Sequence, residues 1–292
     1  MNYLKSLNNT GSRRAGFLLA ITGVILMSLD PIFIRFAGVS GFDTAFLFGL
    51  FSAISMPVLL KLNDARGIKS AVKESGWPLL FSGLLMLGSA SGLVFSIKMT
   101  SIANTFIILS ATPALAALFS WLFLKEKVTT ATLVSILFVM IGIAIVVSGS
   151  FGSGNWVGDL LAVFSVICLS LMFTLLRKYQ NISRLASVGL GGLLLAIVMF
   201  FFATPTSFSA ETWFIMAVMG LFTAPIGRVL SMVATRHITA AEVSMTMMLE
   251  SVLAPIWAFL FFAEVPPLAS IIGGVIILLT IFVYTLLNVN KD

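Results

Sequence analysis

Residues 16–35, GFLLAITGVILMSLDPIFIR, recur at residues 158–177 as GDLLAVFSVICLSLMFTLLR, with nine of twenty positions identical and no gap. A helix needs roughly 20 apolar residues to cross the hydrocarbon core of a bilayer, and each copy has them. One copy opens each half of the chain. Few folds accommodate such a pair, and the repeat predicts two related membrane units fused in tandem.

The rest of the sequence fits that reading. Hydrophobic residues make up 59% of the 292, charged residues 10%, and the mean hydropathy is +1.12, far from the balance of a water-soluble domain. Barrel strands would alternate in polarity along each segment, and these runs do not, so the chain is read as an all-α integral membrane protein. Apolar runs and their breaks predict ten spans, over 15–37, 43–62, 77–97, 101–123, 129–148, 156–176, 185–204, 212–234, 239–262 and 266–287. The first is too long for a signal peptide and is read as a retained helix. The single cysteine, Cys168, lies inside a span and excludes an intrachain disulfide.

Basic residues orient the spans. With the N-terminus in the cytoplasm, fourteen of the seventeen Lys and Arg fall on the inner side, among them Lys61, Arg66, Lys69, Lys73, Lys125, Lys127, Arg177, Lys178 and Arg184. Arg35 and Lys98 fall near the outer surface and Arg228 within a span. The positive-inside rule therefore places both termini in the cytoplasm. The net charge of +6 is explained by loops lying beside anionic lipid, with no nucleic-acid partner needed. Five spans per half is an odd number, so the second unit enters the membrane from the opposite side. The expected architecture is two inverted five-helix repeats, residues 1–148 and 149–292, around a central site that opens to each face in turn.

The second parts of the units also correspond. LSATPALAALFSWLFLKE, ending at Glu126, parallels MLESVLAPIWAFLFFAE, ending at Glu264. Both resemble the signature of EamA-type members of the drug/metabolite transporter superfamily, an apolar proline-containing helix closed by Gly-Glu or a similar pair. The resemblance spans essentially the whole chain, with two departures. Ser251 stands at the expected proline position, with Pro255 beyond it, and Lys125 and Ala263 precede the glutamates. The resemblance implies a basket-like bundle whose central cavity is lined by spans 1–4 and 6–9, with spans 5 and 10 peripheral. Within the superfamily the chain is most similar to bacterial inner-membrane exporters of amino acids and related metabolites, including the aromatic-amino-acid type.

A charged side chain near a helix centre costs roughly 2.5–3.5 kcal/mol on the insertion scale, so each one calls for a partner, a wet cavity or a function. Three stand out, Asp30, Arg228 and Glu250. Pro31 follows Asp30 and frees a backbone carbonyl beside the carboxylate, which suits a proton, a cation or a substrate ammonium, or a simple helix cap. Glu242, Thr246 and Glu250 share one helical face, and the repeat pairs them with Asn104, Ile108 and Thr112. A neighbouring face carries Ser244, Met247, Met248 and Ser251. Arg228 lies in TAPIGR, where Pro225 and Gly227 mark an interrupted helix. Counting from the turn near His237, the depths of Arg228 and Glu250 differ by about 6 Å. The pair can form a structural salt bridge or clamp a substrate carboxylate. Ser82, Ser89 and Ser96 are further possible cavity residues, and the five tryptophans read as interfacial anchors near span ends.

Other functions lack their residues. There is one histidine and neither HExxH nor GxSxG for an enzyme, no Walker A motif for ATP, and no filter-like glycine loop for a channel. The sequence calls for no cofactor and no metal. The expected function is secondary transport, by export, of small metabolites such as amino acids, with protons as a candidate coupling ion, in a monomer or homodimer embedded in the bacterial inner membrane. Nucleotide-sugar or sugar-phosphate carriage and lipophilic-cation efflux stand as the alternatives. A cavity with acid and base together suits a zwitterion.

Overall fold

A computed structural model describes residues 13–63, 67–125, 130–150, 154–234, 237–238, 243 and 246–289. Among them every regular element is helical: α1 (Arg13–Ser28), α2 (Asp30–Phe36), α3 (Gly41–Asn63), α4 (Gly67–Met99), α5 (Ile102–Leu109), α6 (Thr112–Leu124), α7 (Thr130–Ser150), α8 (Trp156–Lys178), α9 (Arg184–Phe200), α10 (Ala210–Val218), α11 (Ala224–Ala234), α12 (Leu249–Phe262) and α13 (Leu268–Val289). A π-helical turn, Met219–Thr223, joins α10 to α11.

The helix ends follow local chemistry. Ser101, Ser183 and Ser209 cap α5, α9 and α10 by accepting from the amides of Asn104, Ala186 and Thr212. Three expected spans are broken, the ninth at Met248. The first divides at Leu29, ahead of Pro31, and the fourth at Ser110–Ala111, ahead of Pro113. Proline lacks the amide that an unbroken helix would use and fits the first turn of a new one.

Seven helical rods are long and apolar enough to cross a membrane: 14–36, 41–62, 67–99, 102–124, 132–150, 156–178 and 210–231. Three further apolar helices, Arg184–Phe200, Leu249–Phe262 and Leu268–Tyr284, are shorter. The chain is a multi-pass membrane protein, and its outward faces carry large apolar side chains such as Phe123, Leu137, Phe259, Leu260 and Leu279, each more than half exposed.

The helices pair across the two halves. α9 lies along α3, α8 along α4, α13 along α7 and α11 along α1, and α12 crosses α5. Small residues let the backbones approach. A Cβ on Gly227 would come within 2.7 Å of the Gly23 carbonyl oxygen, and one on Gly273 within 2.6 Å of that of Gly142. Gly88 and Gly92 likewise abut Cys168 and Ser165 of α8. Gly227 therefore sets the α1–α11 contact, and the interruption expected beside it lies one turn earlier, in the π turn. Pro225 explains the displacement: it has no N–H to donate, and its ring would clash with the carbonyl of residue 221 in a regular helix.

The signature glutamates are each preceded by a residue in the left-handed conformation, Lys125 at φ 56° and Ala263 at φ 51°. The Cβ of an L-residue is crowded there by roughly 1–2 kcal/mol, which is the physical reason for a glycine in that position of the pattern. Part of that relief is lost to the greater freedom of glycine in the unfolded chain. Ala263→Gly is therefore expected to stabilise the protein by about 0.5–1 kcal/mol, seen as a higher melting temperature in detergent. An unchanged or lower value would show that the turn is not strained.

Candidate functional site

The site forms where the break between α1 and α2, the π turn with α11, and the first turn of α12 meet. Leu29 interrupts the first rod, so Asp30 starts α2 at the discontinuity. The Thr223 hydroxyl, at the end of the π turn, donates to Asp30 Oδ1 at 3.3 Å. Glu250 stands in the first turn of α12, where the helix dipole favours an acid. Arg228 comes from α11. All three are half-buried, and the charges of Asp30, Glu250 and Arg228 lie close enough to act on one another.

The geometry differs from a closed salt bridge. Among the described residues Arg228 forms no ion pair within 4.0 Å, and its Nη1 is buried with no hydrogen-bond partner. A guanidinium carries five donors in a planar fork matched to a carboxylate, and one left unpaired in a buried site costs about 1–3 kcal/mol. Two acids and one base thus converge without neutralising each other by contact.

Two residues that the sequence reading did not assign to the site complete it. Ser28, the last residue of α1, is fully buried and donates to the Ile25 carbonyl at 2.8 Å. It accepts the indole N–H of Trp257 at 2.9 Å. Trp257 is therefore not an interfacial anchor. It is part-buried against the main core, with the ring of Phe261 6.5 Å away. A signal for it exists in the sequence, because Trp257 is seven residues from Glu250 and shares its helical face.

The aligned stripes behave differently from the three charges. Asn104 is 1% exposed and sits in a closed polar knot. Its Nδ2 donates to both carboxylate oxygens of Asp159 at 3.1 Å and to Ser150 at 3.0 Å, and its Oδ1 accepts from Ser270. Asp159 is itself fully buried and accepts the Thr100 hydroxyl at 2.6 Å. Thr112 and Thr246 are buried and turn their hydroxyls back to the carbonyls of Leu109 and Val243. Ser251 is buried at 7% exposure. Glu242 and Ser244 lie outside the described residues. The structure thus brings Asp30, Arg228 and Glu250 together and ties Asn104 to a different set of partners. The serines of α4 are also spent within the bundle, Ser82 on Ser187, Ser89 on Ser165 and Ser96 on Thr105.

A second polar cluster laces the end opposite the lysine- and arginine-rich loops. Arg35 donates to the carbonyls of Thr100 at 2.8 Å and Ile97 at 3.3 Å and pairs with Glu264. Glu264 also accepts the amide of Ile102 at 2.7 Å, an orphan donor at the start of α5. The signature glutamate of the second half therefore joins the ends of α2 and α12 to the α4–α5 turn.

The comparisons with known proteins agree with this architecture. The chain is 24% identical over 251 residues to the uncharacterized transporter YyaM of Bacillus subtilis, covering 81% of each chain. It is 25% identical over 248 residues to an uncharacterized transporter of Clostridium kluyveri, covering 80% of this chain and 79% of the other. A protein of known crystal structure shares the fold, with a TM-score of 0.64 at 18% identity over 94% of this chain and 99% of that one. The model of the EamA-like transporter family matches twice, over residues 14–148 and 156–286. Two matches that together span nearly the whole helical chain, a bundle whose halves pair helix by helix and a charged site between them have one common reading: this chain belongs to the EamA-like transporter family.

Proposed function

We propose that the protein is a secondary exporter of amino acids or closely related zwitterionic metabolites. It works by alternating access in a bacterial inner membrane, with both termini in the cytoplasm and the two halves forming inverted five-helix repeats. The observation that carries the substrate class is Arg228, whose buried Nη1 has no partner while two carboxylates stand near it without contact. A substrate carboxylate satisfies the guanidinium, and its ammonium lies toward Asp30 and Glu250. The indole of Trp257, held by Ser28 two residues before Asp30, favours an apolar or aromatic side chain.

The helix pairing supports the access mechanism, because each principal contact joins one half to the other, so the halves can rock against each other about the central site. The Arg35–Glu264 cluster serves as closure of the outer mouth. Its opening frees α2, the α4–α5 turn and the end of α12 together.

The reading is tested with the full chain in proteoliposomes, by counterflow over a panel of amino acids, nucleotide sugars and lipophilic cations. Amino-acid exchange without response to the other two classes is expected. Exchange of nucleotide sugars or lipophilic cations instead would overturn it. Export is checked separately by the rise of the exchanged amino acid in the medium of cells producing the protein.

A further inference from the structure

Helix α4 carries a segment the transport site does not use. Its axis breaks at Gly76, whose φ of 58° and ψ of −152° belong to glycine alone, so residues 67–75 form a separate short helix ahead of the buried rod. At about 100° per residue its faces are distinct. Ala71 and Ser75 form one face and are buried at 0% and 4% exposure, with Ala71 in a cluster holding Leu60, Ile182 and Leu185. Ile68 and Val72 form the next face, yet they are 38% and 47% exposed. Lys69 and Lys73 form the one beyond, and Ser70 and Glu74 close the circle. All four of these polar residues are exposed. Trp77 follows the break at 66% exposure, set edge-on to Tyr179 at 5.7 Å.

This order of faces is not that of a helix standing in water. An apolar edge between the docking face and a pair of lysines suits a helix lying in the plane of a membrane surface. There its apolar edge dips below the headgroups, its lysines reach outward at headgroup height, and its Ser70–Glu74 edge faces the aqueous phase. Trp77 marks the same level, and the exposed Leu80, Phe81 and Leu84 continue the lipid-facing surface below it. We infer that residues 67–75 form an in-plane surface helix that binds anionic phospholipid headgroups of the cytoplasmic leaflet through Lys69 and Lys73, with Ile68 and Val72 inserted beneath them. The inference rests on the membrane placement proposed above but on no claim about substrate.

The test therefore needs no transport. In the full chain with Cys168→Ala, a nitroxide is placed at Val72 or at Ser70, and the protein is reconstituted in phosphatidylcholine vesicles with or without phosphatidylglycerol. The label at Val72 is expected to be accessible to oxygen and shielded from a water-soluble relaxant, and the label at Ser70 the reverse. Retention of phosphatidylglycerol, read by native mass spectrometry, is expected to weaken about thirtyfold in the Lys69→Gln/Lys73→Gln double variant, at the usual strength of a lysine near an anionic surface. It is expected to survive in the Lys69→Arg/Lys73→Arg variant, which shows that charge and not folding is measured. A Val72 label as exposed to water as the Ser70 label, or retention unchanged in the glutamine pair, would overturn the inference.

Discussion

Arg228→Gln will lower amino-acid counterflow by about a hundredfold, and Arg228→Lys by about tenfold, with both proteins as abundant and as thermally stable as the wild type. The size follows from the loss of a charge-assisted, two-pronged contact to a carboxylate, which lysine replaces only in part. The unchanged stability is the sharper half of the expectation. Removing one member of a buried, contacting ion pair ordinarily costs 3–5 kcal/mol, because the other member is stranded. Here Arg228 Nη1 has no partner to strand, Asp30 retains the Thr223 hydroxyl, and neither acid is fully buried. Counterflow and melting curves on the same preparations decide it. A loss of folded protein in Arg228→Gln, restored by adding Glu250→Gln, would instead identify a structural pair.

Asp159→Ala is expected to act on folding rather than on transport. The carboxylate is fully buried and receives the Thr100 hydroxyl and the Asn104 amide, which also receives Ser270 on its oxygen. Truncation leaves donors from two residues without their acceptor among apolar helices, at about 3 kcal/mol in total. Asp159→Asn keeps the volume and one acceptor oxygen, so it should fall between the two. The readout is the fraction of solubilised protein that elutes as a monodisperse species and its melting temperature. A wild-type melting temperature for Asp159→Ala would mean that the knot contributes nothing to the fold.

The contrast between Arg228 and Asp159 shows what the sequence could convey. Both are charges in apolar surroundings, and hydropathy alone separates neither role. Arg228 was legible because it lies deep in a span beside Pro225. Asp159, three residues beyond Trp156, carries no such mark, and only the fold brings Thr100 and Asn104 onto it, with Ser150 and Ser270 in turn holding the Asn104 amide. The stripe of Asn104 and Thr112 marks the limit of helical phase, which cannot tell a cavity from a helix contact when both faces are equally apolar. The all-helical, apolar character and the two matching halves were legible because they depend on composition and self-similarity, whereas seven of the ten expected spans reach crossing length as helical rods. The left-handed residues before the glutamates were not, since neither lysine nor alanine advertises that conformation as glycine does.

The π turn at Met219–Thr223 has a consequence in rotational register. It accommodates one more residue than the same path in α-helical form, and each residue advances the helix by about 100°. Everything beyond it on α11 is turned by that angle relative to α10. With an unbroken α-helix from Ala210, the side of α10 that packs on Phe51 through Trp213 would keep its place, whereas the guanidinium of Arg228 would swing about a quarter of a turn away from Asp30 and Glu250. The meeting of the three charges is thus a matter of phase as much as of composition. A chain with the same residues and one fewer at this turn would retain its apolar spans but lose the convergence of its charges.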